Sequence, residues 1–165
     1  MDDLLIPPFL RYVHLEINRI KSYHVLLKQN DNRCLLHNDD DGAHAIGYAT
    51  DTGYISDGIR TALLGCDAVV LECNHDVDML LRGPYPPDLK QRILSRYGHL
   101  SNESGAEFAR FLADNGTTHL MLAHISEINN TPELARKASV SALSDVLDRV
   151  ELAVCEPAEP VIFTL

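Results

Sequence analysis

The fold is decided by two apolar stretches, Ala43-His44-Ala45-Ile46-Gly47-Tyr48-Ala49 and Leu120-Met121-Leu122-Ala123. Both have the length and apolar character of buried β-strands. Asp51 comes soon after the first stretch, and His124 directly follows the second. Carboxylate and imidazole together are the usual ligands of catalytic zinc or manganese. The two stretches therefore predict a metal site where two strand ends meet.

Each of these two residues has an ordinary explanation when it is taken alone. Asp51 lies in Thr50-Asp51-Thr52-Gly53, whose residue types are typical of a strand-to-helix turn. A single histidine such as His124 is more often a hydrogen-bonded structural residue than a metal ligand. The pair is a stronger signal than either residue, because both follow predicted strands.

From residue 43 onward, the sequence alternates predicted strands and predicted helices. The predicted strands are residues 43–49, 68–73, 118–123, 151–154 and 160–164, and the predicted helices are residues 57–64, 77–81, 86–97, 103–115 and 131–150. Asp41-Gly42 predicts a hairpin corner that joins an earlier strand, residues 33–37, to the first of these strands. The pattern predicts an α/β domain with a mixed sheet and flanking helices.

Length and charge limit the classes of protein that fit. A chain of 165 residues fits one domain. Its net charge of -10, from 24 acidic and 14 basic residues, repels polyanions at long range, which argues against nonspecific nucleic-acid binding by the whole surface. A local basic patch or a metal ion could still hold a phosphate. One modest basic cluster is interpreted as a solvated face: Arg82, Lys90, Arg92 and Arg96.

The sequence also predicts a cytoplasmic protein without a membrane span. The first residues carry acids where a signal peptide needs bases, and no apolar run approaches the ~18 residues that a membrane helix requires. The four cysteines form no Cys-x-x-Cys pair, which favours reduced and buried thiols. They are Cys34, Cys66, Cys73 and Cys155.

The densest polar stretches lie between the two predicted site residues. They are Glu72-Cys73-Asn74-His75-Asp76 and Gly98-His99-Leu100-Ser101-Asn102. Glu72 ends an apolar strand, so its carboxylate needs partners that offset its desolvation. His99 precedes a helix whose first N–H groups, with Ser101 and Asn102, could hold an anion. Helix capping by these two residues is compatible with that function.

These motifs, in this order, resemble the metallo-β-lactamase superfamily. The closest resemblance is to its YycJ (WalJ)-like branch of metal-dependent hydrolases, which are relatives of ribonuclease Z. It extends over residues 43–150, whereas residues 1–42 match poorly. The main matching motifs are Ala49-Thr50-Asp51-Thr52-Gly53, Leu71-Glu72-Cys73-Asn74-His75-Asp76, Gly98-His99-Leu100-Ser101-Asn102-Glu103, Leu122-Ala123-His124-Ile125-Ser126 and Asn129-Asn130.

The resemblance implies an αββα sandwich, of which this chain would supply the C-terminal half as a single partial domain. It implies a phosphodiesterase or nuclease-like hydrolase with two divalent ions, zinc or manganese. By similarity, Asp51 would bridge the two ions, His124 would bind one of them, and His99, supported by Glu72, would face the scissile phosphate. Further residues are expected to contact the substrate or to support these groups: His75, Asp76, Ser101, Asn102 and Ser126.

The sequence departs from the family pattern in its histidines. No His-x-His-x-Asp-His run occurs, and Asn30 stands where another family histidine is expected. One alternative is therefore an inactive relic or half-domain interaction module, whose inner sheet face is covered by residues 1–40, by a partner chain or by a homodimer. Another is a single-metal site made from four side chains: Asp51, His75, His99 and His124.

Overall fold

The computed structural model describes residues 35–39 and 42–155, in which the central feature is a five-stranded sheet. The strands follow each other across the sheet in chain order: β1 (Leu35–Asp39), β2 (Gly42–Ala49), β3 (Ala68–Glu72), β4 (His119–Ala123) and β5 (Glu151–Val154). β1 and β2 are antiparallel, and the pairs from β2 to β5 are parallel. This arrangement confirms the predicted α/β class and the mixed sheet.

Helices connect the parallel strands, because each parallel neighbour requires a crossover connection. The helices are α1 (Asp57–Leu63), α2 (Val77–Arg82), α3 (Pro87–Ile93), α4 (Asn102–Asp114) and α5 (Pro132–Ala142), and a short 3-10 turn, Leu147–Arg149, precedes β5. In the part of the chain that the structure describes, no helix is long and apolar enough to cross a membrane.

Side-chain caps fix where three of the helices begin. The hydroxyl oxygens of Ser56, Ser101 and Thr131 accept hydrogen bonds from the backbone N–H groups of Ile59, Ser104 and Leu134. A cap of this kind satisfies one of the unpaired N–H groups in the first turn. The predicted helix start at Thr131-Pro132 is thereby confirmed, and so is the predicted end of α4 before Gly116, whose φ is 102°.

Two predicted helix ends are wrong, because contacts with residues outside each helix stop the helices early. α3 ends at Ile93 and not at Tyr97: the N–H of His99 folds back onto the Ile93 carbonyl at 3.0 Å. α5 ends at Ala142 and not near Val150, where Arg110 of α4 donates to the Ala142 carbonyl and pairs with Asp145. The predicted strand at residues 160–164 and the hairpin corner at residue 41 lie outside the described residues.

The main core lies between one face of the sheet and the helices. Val69 and Leu71 of β3 and Leu120 of β4 are buried there in one cluster with Phe108 and Leu112 of α4. Successive side chains of a strand point to opposite faces, so Val69 and Leu71, two residues apart, lie on the same face. This packing fixes α4 against β3 and thereby sets the position of the loop that precedes α4.

The opposite face of the sheet is also buried at its centre. Val70, Met121 and Ala123 form a second cluster there, with Tyr48 and Ala153 packed against it. Burial on both faces is typical of parallel strands. Val70, Met121 and Ala123 are each at most 7% exposed. Covering of the remaining face by a partner chain or homodimer stays a prediction.

Substitution of Gly105 is expected to disturb the contact between α4 and β3. A Cβ at this position would lie 2.6 Å from the Glu72 carbonyl oxygen and 2.6 Å from the Cys73 sulfur. Gly105→Ala should lower the free energy of unfolding by about 1–3 kcal/mol in urea titrations, because the backbone carbonyl cannot move aside cheaply.

Gly58→Ala in α1 is the matched control for this measurement. The nearest atom to its added Cβ is the Ser56 hydroxyl oxygen at 3.6 Å, so we expect unchanged or slightly increased stability. Equal effects of the two substitutions would contradict the close contact at Gly105.

The buried thiols are expected to resist alkylation. Cys73 is a buried free thiol, and burial raises its pKa to about 12. Because the thiolate is the nucleophile, Cys73 should remain unmodified by iodoacetamide at mildly alkaline pH in the folded protein and should react in concentrated urea. Peptide mass spectrometry measures both rates, and equal rates would contradict this prediction.

Candidate metal and phosphate site

The candidate site lies where β2, β3 and β4 end side by side. The register pairs Ala49 with Leu71 and Glu72 with Ala123, so the residues that follow β2 and β4 flank the end of β3. Ligand sites of parallel sheets commonly lie beyond the carboxyl ends of the strands. The sequence prediction that strand ends meet at this edge is confirmed.

Both predicted metal ligands have an unusual backbone conformation. Asp51 has φ 56° and His124 has φ 58°, and they are the only non-glycine residues with positive φ among those that the structure describes. Such left-handed residues cost roughly 1 kcal/mol or more, and they concentrate at functional sites where surrounding contacts hold them. The strands therefore end in sharp turns at these two residues.

Glu72 lies behind the site and accepts hydrogen bonds from several segments. Its side chain is 0% exposed. One carboxylate oxygen, Oε1, is 2.8 Å from Nδ1 of His99 and 2.6 Å from Nδ1 of His124. The other, Oε2, accepts from the backbone N–H groups of Thr52 at 3.0 Å and Leu100 at 3.4 Å. These four donors confirm the prediction that this carboxylate needs partners.

These contacts keep Glu72 ionised. Burial raises the pKa of its carboxyl, but hydrogen bonds from His124, His99 and the Thr52 N–H lower it, and the net pKa lies below the ordinary value. An ionised carboxylate only accepts hydrogen bonds, so Nδ1 of each histidine must carry the donated proton. The Nε2 atoms of His99 and His124 are consequently left for other partners.

The two histidine rings lie close together, beside Asp51. Their centroids are 5.1 Å apart, and Nε2 of His124 is 3.7 Å from Oδ1 of Asp51. The hydrogen bond to Glu72 raises the pKa of His124, burial opposes this, and the charges of Glu72 and Asp51 raise it further. Both rings remain partly exposed.

The donor set of Asp51, His99 and His124 fits one divalent ion. Potential ligand atoms of the three residues lie within 4.8 Å of one another. Two ligands of one tetrahedral zinc ion lie roughly 3.4 Å apart, so small side-chain movements would bring the three together. The Glu72 carboxylate that orients both imidazoles is the usual support of histidine ligands. His75 does not join this group.

His75 is buried behind the site, with 1% of its surface exposed. Neither of its ring nitrogens has a hydrogen-bond partner in the described parts of the chain. Burial and then the charge of His99 lower its pKa, which favours the neutral ring. The four-ligand site that includes His75 is thus not assembled in the structure, whereas three of its four members converge.

A buried amide pair holds the loops behind the site. Asn102 and Asn130 exchange two hydrogen bonds of 2.8 Å, and Asn130 also donates to the Cys73 carbonyl at 2.8 Å. Asn74 donates to the His124 carbonyl at 2.9 Å. Buried amides that satisfy each other rigidify a structure. Asn102 therefore supports the loops, and sequence reasoning missed that Asn130 is its partner.

Three other predicted residues make local hydrogen bonds. Ser101 caps α4, Asp76 caps α2 through its bond with the Met79 N–H, and Ser126 accepts from the Asn129 N–H at 3.2 Å. Capping by Ser101 agrees with the helix-capping role that the sequence predicted for it. Substrate contacts of these residues stay predictions.

A cleft of about 420 Å³ opens beside the two site histidines. Its other wall is formed by α3 and its flanking turns, including Tyr85, Leu89, Arg92, Ile93 and Tyr97. Asn74, Ile125 and Ser126 also line the cleft. Sequence reasoning gave no role to the two tyrosines.

Comparison with known proteins agrees with the motif resemblance. No protein-family model matches the chain. The exodeoxyribonuclease YycJ of Bacillus anthracis is 44% identical over 110 residues, which cover 67% of this chain and 40% of that protein. The exodeoxyribonuclease WalJ of Streptococcus pneumoniae serotype 2 strain D39 is 46% identical over 95 residues, which cover 58% of this chain and 35% of that protein.

These matches confirm the resemblance to the YycJ (WalJ)-like branch. The α/β sheet with its helices is consistent with part of a metallo-β-lactamase fold, in agreement with the expected C-terminal portion. The chain spans about 40% or less of the length of these curated relatives. By its sequence, the chain is a homologue of the YycJ and WalJ exodeoxyribonucleases.

Proposed function

We propose that the described residues form one side of the active site of a metal-dependent, nuclease-like hydrolase that cleaves phosphodiester bonds in DNA. One observation carries this proposal: the single buried carboxylate of Glu72 binds both His99 and His124 and leaves their Nε2 atoms beside Asp51. The names of the two bacterial relatives, both exodeoxyribonucleases, supply the substrate class.

Asp51 and His124 would hold a divalent ion, zinc or manganese. An Asp oxygen and a histidine nitrogen suit both metals, and Glu72 fixes the ring of His124 in a tautomer with a free Nε2. A bound ion would supply positive charge for the phosphate oxygens and would favour ionisation of the attacking water.

His99 would bind the scissile phosphate. Its Nδ1 is held by Glu72, so its Nε2 faces away from Glu72, next to the position proposed for the ion. A hydrogen bond from this ring to a phosphate oxygen would be stronger in the transition state, where negative charge develops. Glu72 touches no reacting atom in this scheme and is a positioning residue.

The described residues supply three ligands for one ion only if His99 joins Asp51 and His124. With His99 on the phosphate, two ligands remain, and even one ion would need a further ligand from elsewhere. Asp51, His99 and His124 form the one group of three potential ligands found among the described residues. Catalytic zinc sites normally have three protein ligands per ion. A second ion would need ligands from elsewhere, in this chain or in a partner. The alternative, an inactive half-domain interaction module, rests on this small number of metal ligands among the described residues.

Asp51→Asn tests the metal site without disturbing the turn. Asparagine tolerates the left-handed backbone and has the size of aspartate, so the loss is confined to the ligand charge. We expect the full chain to bind about one Mn²⁺ or Zn²⁺, and the variant to bind at least roughly tenfold more weakly by titration calorimetry. Cleavage of an end-labelled DNA strand should fall in parallel.

Glu107→Gln is the control, because Glu107 is an exposed acid on α4 away from the site. It should leave metal affinity and cleavage unchanged. A chain that binds neither ion and cleaves no DNA would contradict the proposal and favour the interaction module. Equal loss in both variants would show that general charge, and not the Asp51 ligand, is responsible.

Glu72→Gln tests the positioning role. The amide cannot accept hydrogen bonds at both ends, so at least one present donor loses its acceptor, and the free energy of unfolding should fall by about 1–3 kcal/mol. Metal affinity should fall roughly 10–100-fold, as is usual for groups that orient histidine ligands.

Nitrogen-15 NMR of the imidazoles separates this role from simple destabilisation. We expect the variant to lose the uniform Nδ1–H form of His99 and His124 while the folded spectrum persists. Unchanged histidine tautomers together with unchanged metal affinity would refute the positioning role of Glu72.

A further inference from the structure

The wall of the cleft that faces the two histidines combines aromatic, apolar and cationic side chains. Five residues of this wall line the cleft: Tyr85, Leu89, Arg92, Ile93 and Tyr97. Its volume of about 420 Å³ is in the range of small-ligand sites. These groups match the two parts of a nucleotide: a tyrosine ring can stack on its flat base, and an arginine can pair with its phosphate.

Tyr97 is held in place although it is 81% exposed. The guanidinium carbon of Arg96 lies 5.4 Å from the centroid of the Tyr97 ring and 4.8 Å from that of Tyr54. Arg96 also donates to the Tyr54 hydroxyl at 3.0 Å. Cation–π contacts at exposed sites are worth about 0.5–1 kcal/mol, so Arg96 favours this placement of the two rings.

The same wall is tightly connected to the candidate metal site. A Cβ on Gly53 would lie 2.3 Å from the Ser95 carbonyl oxygen, so the turn that carries Asp51 packs directly against the segment that follows α3. On the other side, the chain passes from Tyr97 through Gly98 to His99, whose N–H bonds the Ile93 carbonyl at 3.0 Å. A ligand held by this wall is therefore held next to the site.

Arg92 is the cation in the cleft with no competing partner. Lys90 is bound to the Leu81 carbonyl at 2.7 Å, and Arg96 to Tyr54. In the described ranges, the Arg92 guanidinium makes neither a hydrogen bond nor an ion pair. On a chain with a net charge of -10, a free guanidinium in a cleft favours a phosphate.

We propose that this cleft binds one unstacked nucleotide of a DNA strand next to the scissile phosphate, with its base on Tyr97 and its own phosphate on Arg92. The inference rests on the proposed function, whose site it extends. An unpaired base is required, because a base stacked in a duplex has no free face for the tyrosine ring. The basic residues of α3, interpreted from sequence as a solvated face, would thus include one substrate contact.

Binding of a fluorescent thymidine oligonucleotide to the full chain, with chelator present, tests this proposal without any metal. Tyr97→Leu should weaken binding about 5–100-fold, because it removes the stacking ring, whereas Tyr97→Phe should retain the affinity. Arg92→Gln should weaken binding and reduce the salt dependence of log Kd by roughly 0.7. Tyr97 is so exposed that its substitution should not affect folding.

Arg82→Gln is the matched control, since Arg82 is an exposed arginine outside this cleft that pairs with Asp78. It should change neither affinity nor salt dependence. The inference would be overturned if the Tyr97→Leu and Arg92→Gln variants bound the oligonucleotide with wild-type affinity. It would also be overturned if the wild-type chain bound a blunt duplex as tightly as the single strand. If cleavage still depended on Asp51 in that case, the proposed function would stand. If binding required Tyr97 but the chain bound no metal, the nucleotide-binding inference would stand and the proposed function would fail.

Discussion

The site depends on one buried carboxylate that must be fully hydrogen-bonded. An ionised group without exposure to water is tolerated only when donors replace its hydration. Glu72 obtains these donors from Thr52, His99, Leu100 and His124, which belong to three segments far apart in sequence. The loop after β2, the loop before α4 and the turn after β4 therefore converge on the end of β3.

The backbone at the strand ends follows from the same requirement. β4 stops and turns sharply at His124, whose Nδ1 bonds Glu72. After β2 the chain turns in the same way at Asp51, and the N–H of the next residue, Thr52, bonds Glu72. The cost of these two left-handed residues is offset by contacts that hold the turns from behind, such as the bond from Asn74 to the His124 carbonyl. Their side chains are kept at the edge of the sheet, where a ligand can approach.

Local patterns predicted the elements well, because their causes are local. The buried strands and the start of α5 at Thr131-Pro132 follow from apolar runs and caps. The ends of α3 and α5 were wrong because backbone bonds to His99 and contacts from Arg110 terminate them. Helix propensity cannot predict these two helix ends, because the residues that terminate the helices lie outside them.

The site itself was predictable in composition but not in connectivity. A carboxylate at the end of an apolar strand had to have partners, and the resemblance named His99 as one. Packing brings His124, which is 52 residues from Glu72 in the sequence, to the same carboxylate oxygen as His99. The Asn102–Asn130 pair was equally hidden, because either amide alone is ordinary for a loop or a helix start.

Electrostatics limit how this chain could engage a polyanion. Its net charge of -10 opposes a nucleic acid at a distance, but at physiological salt this repulsion is screened beyond about 8 Å. Under the proposed function, affinity would then come from a few contacts inside the cleft, among them Arg92, Tyr97 and the site histidines. Under the proposed function, contacts of this kind would favour a strand end with an exposed base over the interior of a long polymer.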